Sequence, residues 1–252
     1  MIRRLLILSL ALATLLLSAC GDKQAAESLT AHKLVTITET GAMSLPGEFR
    51  AASTDTSILW LSESQARRDT RGRSFLVDGP TTTVTMVNHV DRTWTTMSAA
   101  EVQAQLNQLA LDNSESGNMQ LERIKDMLDV AARVTDTGQT ETIDGYQCKR
   151  WIVEMNMGKQ ETTSEVWLTK DIDVDYSLLQ YISTPALSAI PGGKGALREL
   201  AKLEGVPVLS TALLRIMNRE GQSESRLHSV DTVQLSPDFF LPPTDYADTD
   251  AQ

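Results

Sequence analysis

The sequence predicts an α+β domain: a curved antiparallel sheet covered by helices. Three observations predict it. Segments rich in Thr, Val and Ile with alternating polarity recur along most of the chain, and such runs fit a half-buried pleated surface. Short turn signals such as Asp78-Gly79-Pro80 and Gly158-Lys159 join them, so strands follow one another by hairpins rather than by βαβ crossovers. Helical spacings interrupt the strands only between 98 and 131, between 173 and 190 and between 195 and 204. That grouping places helices against a sheet instead of alternating them with strands.

The chain opens with Arg3 and Arg4, then an apolar run over 5–17 broken only by Ser9 and Thr14, then Leu17-Ser18-Ala19-Cys20. A basic start, a short apolar stretch and small residues before a cut site make an export signal. The stretch is shorter than the roughly 20 residues of a membrane-spanning helix. The tetrapeptide resembles a bacterial lipobox. The resemblance implies cleavage after residue 19, lipidation of Cys20 with acyl chains such as palmitate, and attachment to the membrane through them. It divides the chain into a signal peptide 1–19, a lipidated tether 20–30, one domain 31–246 and an acidic tail 247–252. Gly21 follows the cysteine where an Asp would imply inner-membrane retention, so the resemblance implies the periplasmic side of the outer membrane.

Along the domain, Leu34-Val35-Thr36-Ile37-Thr38 alternates as a strand. Ile58, Leu59, Trp60 and Leu61 form a second apolar run, and Phe75, Leu76 and Val77 a third before the 78–80 turn. Residues 81–89 read as a strand with Val84 and Met86 on one face, and Asp91-Arg92 turns into a short strand through Trp94. Ser98 and Glu101 have capping-box spacing, and Val102, Leu106 and Leu109 follow at helical intervals. Leu121, Ile124, Leu128 and Ala131, widened by Met127, mark a second helix whose stripe faces the protein's own core. Strands resume after Gly138. Residues 147–157 alternate, with Trp151, Val153, Met155 and Met157 on one face, and 165–169 return as the hairpin partner. Residues 173–190 are helix-compatible until Pro185. Leu197, Leu200 and Leu203 mark a last helix, and a closing hairpin turns at Arg219-Glu220-Gly221. The tail from Pro242 is acidic and expected to fray.

Hydrophobic residues make up 41% of the chain, charged residues 22% and aromatics 5%. That composition excludes a disordered chain, a collagen repeat and a multi-span membrane protein. The formal charge of −10 excludes a nucleic-acid binder, which needs a basic face. With Cys20 consumed by lipid, Cys148 stands alone. It reads as a small buried strand residue, with pairing between molecules or a nucleophilic role as the alternatives.

Asp144-Gly145-Tyr146-Gln147-Cys148-Lys149-Arg150-Trp151 followed by Glu165-Val166-Trp167-Leu168-Thr169-Lys170-Asp171 is similar to the GYxCxxW core and the next strand of the DUF4412 family, exported proteins of unknown function. Gly205-Val206-Pro207-Val208 resembles that family's GxP segment, and Phe239-Phe240-Leu241-Pro242 its closing motif. The resemblance covers 31–246. It implies a relation to the LolA/LolB lipoprotein carriers, incomplete β-barrels whose covering helices enclose an apolar cavity. It brings no site residues with it, and the GYxC segment reads as a turn and a buried strand start.

Signatures of chemistry are absent. No G-x-S-x-G, H-E-x-x-H or paired-cysteine pattern occurs, and His32, His89 and His228 are far apart. Asp171, Asp173 and Asp175 imitate half a calcium loop, but Tyr176 stands where Gly is required. Residues 191–195 lack the spacing of a P-loop, and Met155 and Met157 read as core rather than as copper ligands. No catalytic residue, cofactor or metal site is assigned. The expectation is a non-enzymatic lipoprotein that holds an acyl chain, lipid or lipoprotein against Trp151, Val153, Met155 and Met157. An envelope protein-interaction module is the second reading, and a periplasmic hydrolase with a dispersed site the third. Ligand identity and oligomeric state are not legible.

Overall fold

The computed structural model describes residues 28–45, 48–81, 83–97, 129–174, 187, 192–216 and 219–249. The first half holds β1 (Leu29–Thr40), the small pair β2 (Met43–Leu45) and β3 (Glu48–Arg50), then β4 (Ser53–Leu61), β5 (Gln65–Thr70), β6 (Arg73–Asp78), β7 (Thr83–Asn88) and β8 (Thr93–Met97). The second holds β9 (Val130–Ile143), β10 (Tyr146–Met157), β11 (Gln160–Thr169), helix α1 (Gly193–Leu200), β12 (Val206–Ile216), β13 (Arg219–Leu235), a 3₁₀ turn (Pro237–Phe240) and β14 (Ala247–Asp248). Twelve strands form one sheet in the order β14-β8-β7-β6-β5-β4-β1-β13-β12-β11-β10-β9. All neighbours are antiparallel except β14 on β8, which is parallel.

This architecture corrects the expected α+β class with helices covering the sheet. The described protein is mostly β, a large mixed sheet with one helix of described bounds. The strands run longer than the sequence suggests, β13 over 17 residues. Ala131, read as the end of a helix, lies in β9. There Val130, Ala132 and Val134 pair with Met157, Met155 and Val153, and the two-residue period prevails over the helical one. Arg219, Glu220 and Gly221 belong to β13 rather than to the turn. The expected signal peptide, most of the tether, the helix at 98–111, most of that at 121–131 and most of that at 173–190 lie outside the described residues. Among the described residues no helix is long and apolar enough to cross a membrane.

Register sets the core. Leu34 pairs with Leu59, and Leu61, Ala66, Val77 and Val84 pair in succession across β4 to β7. They share one face, and with Leu227, Val206 and Ile172 they form one buried cluster. The opposite face of β4 to β8 is covered by the end of the chain. Phe239 meets Trp60 edge-on at 5.0 Å, and Arg67 donates from Nη1 to the Phe239 carbonyl at 2.8 Å while its guanidinium lies 4.4 Å over that ring. The tail from Pro242, expected to fray, docks as well over its described residues: the Tyr246 hydroxyl lies 3.2 Å from His89 Nδ1, and β14 pairs with β8. At the other sheet edge, Val134 of β9 donates its N–H to the Glu199 carboxylate of α1 at 3.0 Å. A helix side chain thus occupies a donor that an open edge strand would leave free.

Gly205 closes the approach to β12. Its φ is +127°, and a Cβ there would lie 2.5 Å from the backbone oxygen of Thr169. A glycine is required on both counts, which accounts physically for the GxP segment. Gly205→Ala should lower unfolding stability by about 2–3 kcal/mol in urea denaturation followed by circular dichroism. A change within error would show that the β11–β12 junction relaxes without cost.

Candidate functional site

Period-two alternation gives this sheet two chemically different faces. Across six adjacent strands, β4, β1, β13, β12, β11 and β10, one cross-strand row reads Asp55, Thr38, Ser225, Ser210, Val166 and Trp151. One residue along each strand, the row on the opposite face reads Thr54, Glu39, Glu224, Thr211, Glu165 and Ile152.

The second row lies in an open trough of about 820 Å³. Its carboxylates are Glu39, Glu224 and Glu165. Arg150 and the Trp167 indole N–H both bond Glu165, and Arg226 stands 3.9 Å from Glu224. Glu39 and Glu224 are direct cross-strand partners, an arrangement of like charges that destabilises a sheet. The polar, acidic lining suits water and cations better than an apolar ligand.

The first face carries a smaller concavity of about 370 Å³. Residues from β11, β12, β13, β1, β4 and β5 line it, so the sheet bends around it. Its apolar wall is Leu34, Leu59, Val166, Val206, Pro207 and Leu227. The hydroxyls of Thr36, Thr38, Ser57, Ser210 and Ser225 stand among them, and Thr38 and Ser225 hydrogen-bond each other at 2.8 Å. A mainly apolar hollow with a few fixed polar groups is the usual make-up of a small-ligand site.

Arg68, at the rim, is shared with a third concavity of about 730 Å³ at the β5–β6 hairpin. Arg71 in the turn and Arg73 at the start of β6 also line it, with Asp55 and Asp91. The acids are engaged elsewhere, Asp55 by Ser53 and Asp91 by Asn88. Arg68, Arg71 and Arg73 form no ion pair among the described residues. Sequence reasoning missed this group. The signal was available: four arginines fall within residues 67–73 of a chain of net charge −10.

The residues singled out from sequence are placed as follows. Trp151 lies in the same row as Val166, one strand beyond the apolar hollow, with the Lys149 ammonium 5.0 Å over its ring. Val153 is buried, Met155 half-buried, and Met157 is exposed. All four share the face of the hollow, but none lines the three concavities. Cys20 lies outside the described residues. Asp144 and Gly145 make the β9–β10 turn with positive φ, and Asp171 accepts the Gln147 N–H at 2.7 Å. The GYxC motif is therefore a turn, a clasp and a buried strand start. His32, His89 and His228 sit on β1, after β7 and on β13. Among the described residues no three His, Cys, Asp or Glu gather as metal ligands.

One arrangement has the distances of a nucleophile and its base. Ser74 Oγ lies 2.6 Å from His89 Nε2, and His89 Nδ1 lies 3.2 Å from the Tyr246 hydroxyl. Ser74, however, is 1% exposed, so no acyl carbon can approach its oxygen. The chain of hydrogen bonds fastens Tyr246 and the end of the molecule to β6 and β7.

A family model described as Domain of unknown function (DUF4412) matches residues 40–246. No curated protein matches the chain.

Cys148 is 2% exposed, and burial pushes its thiol above the ordinary range. The folded chain therefore keeps the proton at a pH where the unfolded chain, ionising from about pH 8.5, has released it. The stability this contributes is whole below that pH and is lost as pH rises towards the folded value. Two outcomes are expected. A thiol reagent should label the native protein far more slowly than the denatured one. Denaturation midpoints should also fall more steeply above about pH 8.5 in the wild type than in Cys148→Ala. Equal native and denatured labelling rates would refute the buried, protonated thiol.

Proposed function

The chain belongs to the DUF4412 family, and we propose that it is an exported lipoprotein, anchored in the outer membrane through acyl chains on Cys20, that binds the acyl chain of a lipid or lipoprotein on its sheet face. The observation that carries the reading is the 370 Å³ hollow walled by Leu34, Leu59, Val166, Val206, Pro207 and Leu227. Its volume falls within the range of roughly 300–1,000 Å³ typical of small-ligand sites. An acyl chain placed there gains by the apolar area it removes from water, about 25 cal/mol per Å² before ordering costs.

The anchor is supported by the sequence Leu17-Ser18-Ala19-Cys20 and by charge. The full chain has a net charge of −10, and removal of 1–19 with Arg3 and Arg4 leaves the body more acidic still, so anionic head groups repel it and acyl chains supply the attachment. The reading involves no catalytic step. Nor does it need a protein-docking patch: among the described residues the exposed large apolar side chains, Phe49, Val90, Met157 and Leu241, lie far apart in the chain and form no row in the sheet register.

The test uses the full chain in nanodiscs of zwitterionic lipid and a photoreactive long-chain alcohol. Label should fall on peptides containing Leu59, Val166 or Leu227. Val166→Glu, which places a charge in the hollow, should reduce it by about tenfold or more. In cells fed labelled palmitate, Cys20→Ala should abolish incorporation. Label spread evenly over the surface and indifferent to Val166→Glu would sink the acyl-chain reading. Palmitate retained in Cys20→Ala would sink the anchor.

A further inference from the structure

Arginine side chains in an acidic protein ordinarily find carboxylates. Arg67, Arg92, Arg133, Arg150, Arg215 and Arg226 all do so. Among the described residues Arg68, Arg71 and Arg73 do not, nor do Arg198 and Arg219, but Arg68, Arg71 and Arg73 line one concavity together. Register explains how they converge. Arg68 pairs with Leu59 on β4 and with Phe75 on β6, so it stands on the apolar face. Thr70 pairs with Arg73, which puts Arg73 on that same face, and Arg71 occupies the turn between them. The face thus changes character along the strands. It is aliphatic from Leu34 to Leu59, hydroxylated at Thr38 and Ser57, and cationic at the hairpin. Thr38, Ser57 and Arg68 line both the apolar hollow and the arginine-rimmed one, so the two concavities adjoin.

We infer that the arginine-rimmed hollow receives the anionic head group of the ligand whose acyl chain fills the adjoining apolar hollow, so that the protein selects anionic amphiphiles over uncharged ones. The inference rests on the acyl-chain reading above and adds the chemistry of the head group. Guanidinium groups bind carboxylate and phosphate oxygens through paired N–H donors. Because Arg68, Arg71 and Arg73 are exposed, they hold an anion without the cost of burying their own charge. The aliphatic part of Arg68 lies beside Leu59 and Phe75 in the register while its head group stands at the rim, an arrangement that suits a long cationic side chain.

The experiment extends the same nanodisc assay. The full chain is titrated with a photoreactive C16 carboxylic acid and with the photoreactive alcohol of equal length. The acid should label the hollow with about tenfold higher apparent affinity. Arg71→Gln with Arg73→Gln, which line the arginine-rimmed hollow but not the apolar one, should erase most of that preference and leave the alcohol's labelling unchanged, which also reports that the double variant is folded. Arg198→Gln with Arg219→Gln, exposed and outside the three concavities, controls for net charge and should keep the preference. Equal labelling by acid and alcohol in the wild type would overturn the head-group inference while leaving the acyl-chain reading intact. Label by neither probe would overturn the acyl-chain reading itself. Competition by inorganic phosphate alone at micromolar concentration would identify a free-anion site and overturn the inference.

Discussion

The whole sheet depends on one strand being paired on both sides. β1 bonds to β4 along one edge and to β13 along the other. It joins a segment near the start of the chain to one near its end, as in the pairing of Leu29 with Leu235. Without β1 the sheet would separate into two meanders, β4 to β8 and β9 to β13, each with an open edge. Leu34 and Ala31, buried at 3% and 0% exposure, secure it. Contacts this distant in sequence must pay loop-closure entropy before they return anything, so the join between the two meanders is the costly step of assembly.

The same strand decides what each face of the sheet presents. A slip of one residue in β1 would exchange Thr38 for Glu39 across the row and turn the apolar face into the acidic one. The bulge between Val35 and Thr36 on the β13 side interrupts the ladder where the hollow begins, and the β4 side runs through it without a break. Two neighbouring ladders, one irregular and one regular, set the strands at a changing angle. Six strands can then line one concavity. On the outer side, Phe239, Phe240 and Tyr246 cover β4 to β8, which leaves the face with Leu34 and Leu59 for the core and the hollow.

Much of this was legible in the sequence, and the exceptions have physical causes. The β10–β11 hairpin, the buried Cys148 and the 78–80 turn follow from alternation and turn residues that need no distant partner. β5 was not legible: Gln65-Ala66-Arg67-Arg68-Asp69-Thr70 has poor strand propensity. It is held by pairing on both sides and by the clasp of Arg67 on Phe239. β9 was misread at its start because Leu128 and Ala131 fit a helical interval while Val130, Ala132 and Val134 fit a strand, and only β10 alongside decides between them. The face of the hollow could be named from Trp151 and Val153, but not the hollow itself. Its wall is assembled from six strands, and bending is not encoded in the period of any one of them. The arginines were overlooked for a similar reason. A charged run reads as solvated surface until register shows which side of the sheet it occupies.

Sidedness and anchoring meet in the geometry of β1. With Cys20 held in the bilayer as proposed, the nine residues from there to Leu29 reach at most about 30 Å. β1 then climbs by about 3.3 Å per residue, so the hollow beside Leu34 to Thr38 lies within a few tens of ångströms of the head groups. The acidic row of Glu39, Glu165 and Glu224 faces the other way, off the opposite side of the same strands. An anionic membrane repels that acidic face and attracts the rim of Arg68, Arg71 and Arg73, an orienting torque that acts over roughly a Debye length. A tether that confines the body near the surface raises the local concentration of lipid at the hollow, and the charge asymmetry turns the hollow towards it. A sheet that kept both charges on one face would gain the first effect and forfeit the second.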